Sequence, residues 1–163
     1  MFKKSALKIS VAAALLGISG FALAAGGTAN LTVNAKILGV CKVTSGPGTL
    51  DFGTIDPSSG GPALASTTFD MKCTNGTTST AATSGNGLHF AGSTKNMLHP
   101  VTAGVLLPYS ISFSGDTGFA GTGFSGGASN TVTISGTVLQ TDFANALASA
   151  AAYTDTVVIT VNP

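Results

Sequence analysis

Beyond residue 28, apolar side chains recur at every second position almost throughout, a period that puts successive residues on opposite faces of a strand. The pattern predicts strands at 29–44, 49–55, 63–74, 87–91, 105–114, 130–139 and 153–162. Between them lie SGPG at 45–48, DPSSGGP at 56–62, TNGTTST at 74–80, SGNG at 84–87 and GDTGFAGTGFSGG at 115–127. These are turn-forming clusters, and Asn75-Gly76 and Asn86-Gly87 mark tight turns because both residue types tolerate positive φ. Roughly seven strands with such spacing predict an all-β sandwich. One segment departs from the pattern: TDFANALASAAA, 141–152, is alanine-rich and predicts a turn or two of helix capped by Thr141 or Asp142.

The two ends of the pattern carry the most information. From Leu31 the odd positions read Leu31, Val33, Ala35, Ile37, Gly39, Cys41, Val43, against Asn30, Thr32, Asn34 and Lys36. A one-faced strand of that length is far above the usual five or six residues, so a bend at Gly39 is expected, separating an arm at 26–38 from the first core strand. Such an arm either packs on its own domain or adds as a strand to a neighbour. At the other end, Asp155, Val157, Ile159 and Val161 alternate with Thr154, Thr156, Val158 and Thr160. Six core strands and an arm leave a seven-stranded immunoglobulin-like sandwich one strand short, with an open edge and an uncovered core.

Residues 1–24, MFKKSALKISVAAALLGISGFALA, read as a secretory signal: lysines, an apolar run, then a small-residue cleavage site between Ala24 and Ala25. Ser10, Gly17, Ser19 and Gly20 interrupt that run, which is short for a membrane anchor. Removing it changes the electrostatics, because three of the seven lysines go with it and four remain against six aspartates. The exported chain is then weakly acidic, without Arg, Glu or Trp, and lacks the clustered cations that nucleic-acid binding needs. No second apolar span follows in the mature chain. In an oxidising compartment the two cysteines, Cys41 and Cys73, read as one disulfide; their spacing does not provide the close ligand pairs of a zinc site.

Catalytic signals are weak. Gly121-Thr122-Gly123-Phe124-Ser125-Gly126 spells GxGxxG, but a β-pattern follows where a dinucleotide site needs a helix. His89 and His99 have no nucleophile elbow to serve, and Lys95 reads as a solvated surface charge. The six aspartates lack calcium-loop spacing, and the Asn30-Leu31-Thr32 and Asn75-Gly76-Thr77 sequons carry no information in a bacterial host. The expectation is a protein that is not an enzyme, with no cofactor and no metal.

The arm TANLTVNAKI, the glycine-rich LDFGTIDPSS after the first cysteine, the second cysteine in TTFDMKCTNG, the LLPYSISFSGD stretch and AYTDTVVITV occur in an order that resembles the spore coat protein U domain family. That family includes subunits of archaic chaperone-usher pili. The resemblance implies an immunoglobulin-like β-sandwich lacking its last strand: signal peptide 1–24, donor-strand arm 25–38, sandwich domain 39–163. It implies a donor face of Ala29, Leu31, Val33, Ala35 and Ile37, an acceptor groove lined in part by Val157, Ile159 and Val161, and a Cys41–Cys73 disulfide. The implied partners are a periplasmic chaperone, an outer-membrane usher and neighbouring subunits, in an extracellular fimbria supporting adhesion or biofilm formation. A free-standing secreted sandwich that binds carbohydrate or a surface is the competing reading, disfavoured by the lack of Trp and by only two tyrosines. A small outer-membrane barrel is disfavoured by the missing aromatic girdles.

Overall fold

The computed structural model describes residues 26–163, so the expected signal segment, 1–24, and the expected cleavage position between Ala24 and Ala25 lie outside the described residues. The chain divides between Ala35 and Lys36. The described part of the first unit, 26–35, has no helix or strand, and its residues are exposed.

The second unit is an immunoglobulin-like β-sandwich. Its strands are β1 (Cys41–Ser45), β2 (Ala63–Cys73), β3 (Thr80–Ser84), β4 (Lys95–Leu98), β5 (Leu106–Ser114), β6 (Asn130–Val138) and β7 (Ile159–Asn162), with one helical turn, α1 (Gln140–Phe143). A five-stranded antiparallel sheet has the order β1-β2-β6-β5-β4, and β3 pairs with β7 in a second, two-stranded sheet.

The long strands form because their alternation finds partners in register. Phe69 of β2 stands opposite Val132 of β6, and Ile134 of β6 opposite Phe113 of β5, so the apolar positions of three strands meet on one face. Phe69, Met71, Val132 and Ile134 make one buried cluster, and Leu107, Tyr109, Val138 and Phe143 a second; Ile111 packs against both.

Several predicted elements differ. The strand at 29–44 shrinks to β1, because 29–40 have no ladder partner among the described residues. The 49–55 pattern yields no strand: Asp51 accepts a hydrogen bond from the Gly53 amide, whose φ of 64° turns the chain out of the extended form. Leu50, Phe52 and Ile55 still point inward, onto the two clusters. The 87–91 strand is replaced by turns, including a reciprocal backbone pair between Ala91 and Thr94. The 153–162 strand is reduced to β7, preceded by a two-bond bridge between Thr154 and Leu98. The helix begins at Gln140, ahead of the expected caps Thr141 or Asp142, with Leu139 at the N-cap and no side-chain bond there, and is fixed by buried Phe143. It ends early because most of the Ala144–Ala152 stretch is exposed. The turn at Thr74–Thr77 closes as expected, with Gly76 at φ 77° in the position a type II turn reserves for glycine.

Candidate functional site

A groove of about 870 Å³ runs across the sandwich. Its floor is built from Leu107, Tyr109 and Ile111 of β5 and Ile134 of β6, the inward side chains of two central strands. One wall is the 47–57 segment with Leu50, Phe52 and Ile55; the other is 146–159 with Tyr153, Val157 and Ile159.

Both walls pack their apolar side chains on the floor while parts of their backbones stay unpaired. Among the described residues, the Gly53 amide is the sole backbone group of 49–55 with an intramolecular partner, and none of the backbone groups of 155–157 has one. No ladder joins the walls to each other. Unpaired N–H and C=O groups beside an apolar trough are the requirements of an added strand: ladder bonds on its edges and a dry surface for one of its faces.

The walls are seated differently. On β6, the core-facing position opposite Ala65 is Gly136; a Cβ there would come within 2.7 Å of Leu50 Cδ2 and 2.8 Å of Phe52 Cζ. The glycine lets the 49–55 wall lie close on the sheet. The other wall is held by side-chain and backbone bonds. Asp155 accepts a 2.6 Å hydrogen bond from the Tyr109 hydroxyl on one carboxylate oxygen and a 2.8 Å bond from the Leu88 amide on the other. Gly87, at φ 85°, delivers that amide, and a Cβ on it would collide with the Asp155 carboxylate. Burial above all, then the hydrogen bond and the negative charge of Asp155, hold the Tyr109 phenol well above its ordinary range. Farther along, Leu98 and Thr154 exchange two backbone bonds, and the Tyr153 hydroxyl donates to the Leu147 carbonyl. The Tyr153 ring meets His99 edge-to-face at 5.0 Å.

Of the residues singled out in the sequence, Val157 and Ile159 line the groove, whereas Val161 packs on the cluster of Phe69, Met71, Val132 and Ile134. Ala29, Leu31, Val33 and Ala35 belong to the first unit, where Leu31 is 85% and Val33 80% exposed; Ile37, in the second, is 79% exposed. Cys41 and Cys73 stand opposite each other on β1 and β2 and form the disulfide. Immediately before it, Thr74 fastens the chain: its hydroxyl accepts from the Val40 amide and lies within bonding distance of the Leu38 carbonyl.

The motifs weighed for catalysis have structural partners. His99 is buried, and its Nδ1 accepts hydrogen bonds from the Val101 and Thr102 amides, closing the loop after β4. The 121–126 glycine run leads into β6, and a Cβ on Gly121 would collide with the backbone of Thr74, so this glycine serves close packing beside the disulfide. Among the described residues, no three of His, Cys, Asp and Glu are grouped to hold a metal ion, and no helix is long and apolar enough to cross a membrane.

The opposite wall at 47–57 and the Tyr109–Asp155 pair were not read from the sequence as parts of a site. The LDFG alternation was the available signal for the first; the second joins positions 46 residues apart and leaves no local trace.

No curated protein matches the chain. The family model described as Spore Coat Protein U domain matches residues 27–160, spanning 27–38, the disulfide and both walls of the groove, and the chain belongs to that family.

Proposed function

We propose that this protein is a structural subunit of an extracellular pilus, exported through a signal peptide, escorted by a periplasmic chaperone and polymerised at an outer-membrane usher by donor-strand exchange. The observation that carries the reading is the groove: an apolar floor between two walls in which the backbone of 49–55, the Gly53 amide apart, and that of 155–157 lack partners. The same chain supplies a suitable occupant, since Ala29, Leu31, Val33, Ala35 and Ile37 alternate with polar residues and are exposed. In this reading a neighbour's arm lies between 49–55 and 153–159, its odd side chains on Leu107, Tyr109, Ile111 and Ile134. Each larger apolar side chain so buried stabilises the joint by about 1.5–3 kcal/mol. Head-to-tail donation does not close on itself and therefore builds a fibre.

The test is deletion of residues 26–38 with chaperone and usher co-expressed. The truncated subunit is expected to bind chaperone and accept a neighbour's arm but to donate none, terminating fibres. Val33→Asp, which places a charge in the apolar trough, is expected to block polymerisation. Fibres of normal length from either variant refute the reading, as does a truncated protein that is stable and functional as a monomer.

A further inference from the structure

The outer face of the five-stranded sheet is unusual in its chemistry. The register sets Thr68, Thr133 and Ser114 in one row, Ser66, Ser135 and Ser112 in the next, and Leu64, Thr137 and Ser110 in the third. Eight of these nine outward side chains are hydroxyls, and none is charged or aromatic. At about 4.8 Å between strands and about 6.8 Å along them, they form a level grid of short side chains. The nearest charge on β2, Asp70, stands at the margin and accepts a hydrogen bond from Thr131. Leu64 projects from the grid at 69% exposure, and beside it a shallow depression of about 320 Å³ lies between Leu64 and Ser66 on β2 and Ser135 and Thr137 on β6.

We propose that this face is a lateral contact between copies of the chain, joining assembled fibres side by side; it rests on the polymer reading above. The face complements itself. A hydroxyl both donates and accepts, so a two-fold related copy meets rows of hydroxyls with rows of hydroxyls and no charge to neutralise, and Leu64 adds apolar area at one corner of the contact. A polysaccharide is the less suitable occupant, because the grid offers sugar rings no aromatic platform. The area explains why the contact belongs to fibres. Three strands by about five residues make a footprint of roughly 240 Å², or about 500 Å² for both partners, well below the roughly 1,200 Å² of a stable pair. Single subunits therefore stay apart, while rows of subunits on two fibres add many such contacts at high effective concentration.

The experiment compares fibres of the wild type with the double variant Ser66→Lys and Ser135→Lys, and with Leu64→Ser, all outward-facing. Electron microscopy of purified fibres is expected to show wild-type bundles at both 50 mM and 500 mM salt, and at least a tenfold loss of bundling in the lysine variant with fibre length unchanged. Leu64→Ser is expected to weaken bundling in the same direction. Beads densely coated with the mature protein form a second arm that needs no polymerisation: wild-type beads clump and lysine-variant beads do not. Clumping beads without fibres would overturn the polymer reading and leave the contact standing. Bundles that persist in the lysine variant, wild-type fibres that are single throughout, or bundles that form only when cell-surface polysaccharide is added would overturn the lateral contact.

Discussion

Tyr109→Phe tests the anchor that joins the groove floor to one wall in a way that a loss of stability alone would not. The hydroxyl gives the Asp155 carboxylate one of its two hydrogen bonds, at 2.6 Å, and the ring is buried in the second cluster. Removing it deletes a bond to an ionised acceptor, about 1.5–3 kcal/mol at neutral pH. The pH dependence carries the sign. In the unfolded chain the phenol ionises near its ordinary value of about 10. In the folded protein, burial and Asp155 keep it protonated well above that. The stabilisation is fully present below pH 10 and is lost as the pH rises, because the unfolded state gives up a proton that the folded state retains. By linkage the loss reaches about 1.4 kcal/mol at pH 11. Guanidinium unfolding followed by circular dichroism at pH 8 and pH 11, on wild type and Tyr109→Phe, is expected to show the gap between them narrowing by that amount. Asp155→Asn is expected to lower the pH at which Tyr109 ionises, seen as phenolate absorbance near 295 nm appearing earlier in an alkaline titration. Parallel pH curves for the wild type and Tyr109→Phe would refute the argument.

Further expectations follow from packing and covalent structure. Replacing Cys41 and Cys73 by serine opens a loop spanning 32 positions and is expected to cost about 3.7 kcal/mol in loop-closure entropy, read as a lower denaturation midpoint. Gly136→Ala pushes a methyl against Leu50 and Phe52 and is expected to cost about 1–2 kcal/mol despite the better strand propensity of alanine. It should also weaken binding of a peptide of residues 26–38 by displacing the 49–55 wall, measured by calorimetry; unchanged affinity and stability would show that the close approach is slack. His99→Leu strands the Val101 and Thr102 amides and is expected to destabilise the protein by about 2–3 kcal/mol, whereas His89→Leu, half-buried and bonded through its backbone carbonyl, is expected to change little.

The sequence made the central strands legible because their alternation and their pairing coincide. Phe69 and Met71, Leu107 and Tyr109, and Val132 and Ile134 are apolar at every second position and face the core in long ladders. The short outer strands were not legible. β3, TAATS, is built from threonine and alanine and reads as part of a turn cluster, and β4, KNML, offers too few residues for a period to show. Residues 87–91 erred in the opposite direction, since Leu88 and Phe90 alternate without a strand to pair with and are 72% and 41% exposed. Of the groove, Val157 and Ile159 were readable from one-faced alternation. The Tyr109–Asp155 bond was not, because a polar pair joining distant strands is decided by register and not by local pattern.

The same distinction explains why the two walls of the groove looked like strands in sequence and are not strands in the structure. Alternation records which face of a segment is dry; a ladder additionally requires a neighbour's backbone. In 49–55 and 153–158 the first condition is met within the chain, through Leu50, Phe52, Tyr153 and Val157, while on the groove side the second is not. Residues 29–37 show the complementary deficit, a one-faced apolar pattern with no ladder. The strand exchange proposed above would supply what each of the three segments lacks, a third backbone between the walls. The Asp155 contacts to Tyr109 and Leu88 and the Leu98–Thr154 bridge already fix one wall, so in that reading little ordering remains to be done when a strand arrives. Low surface charge fits the same logic. With four lysines and six aspartates beyond residue 24, the chain has little electrostatic protection against association, which is a liability for a free monomer and suits the proposed subunit, whose apolar faces its neighbours would cover.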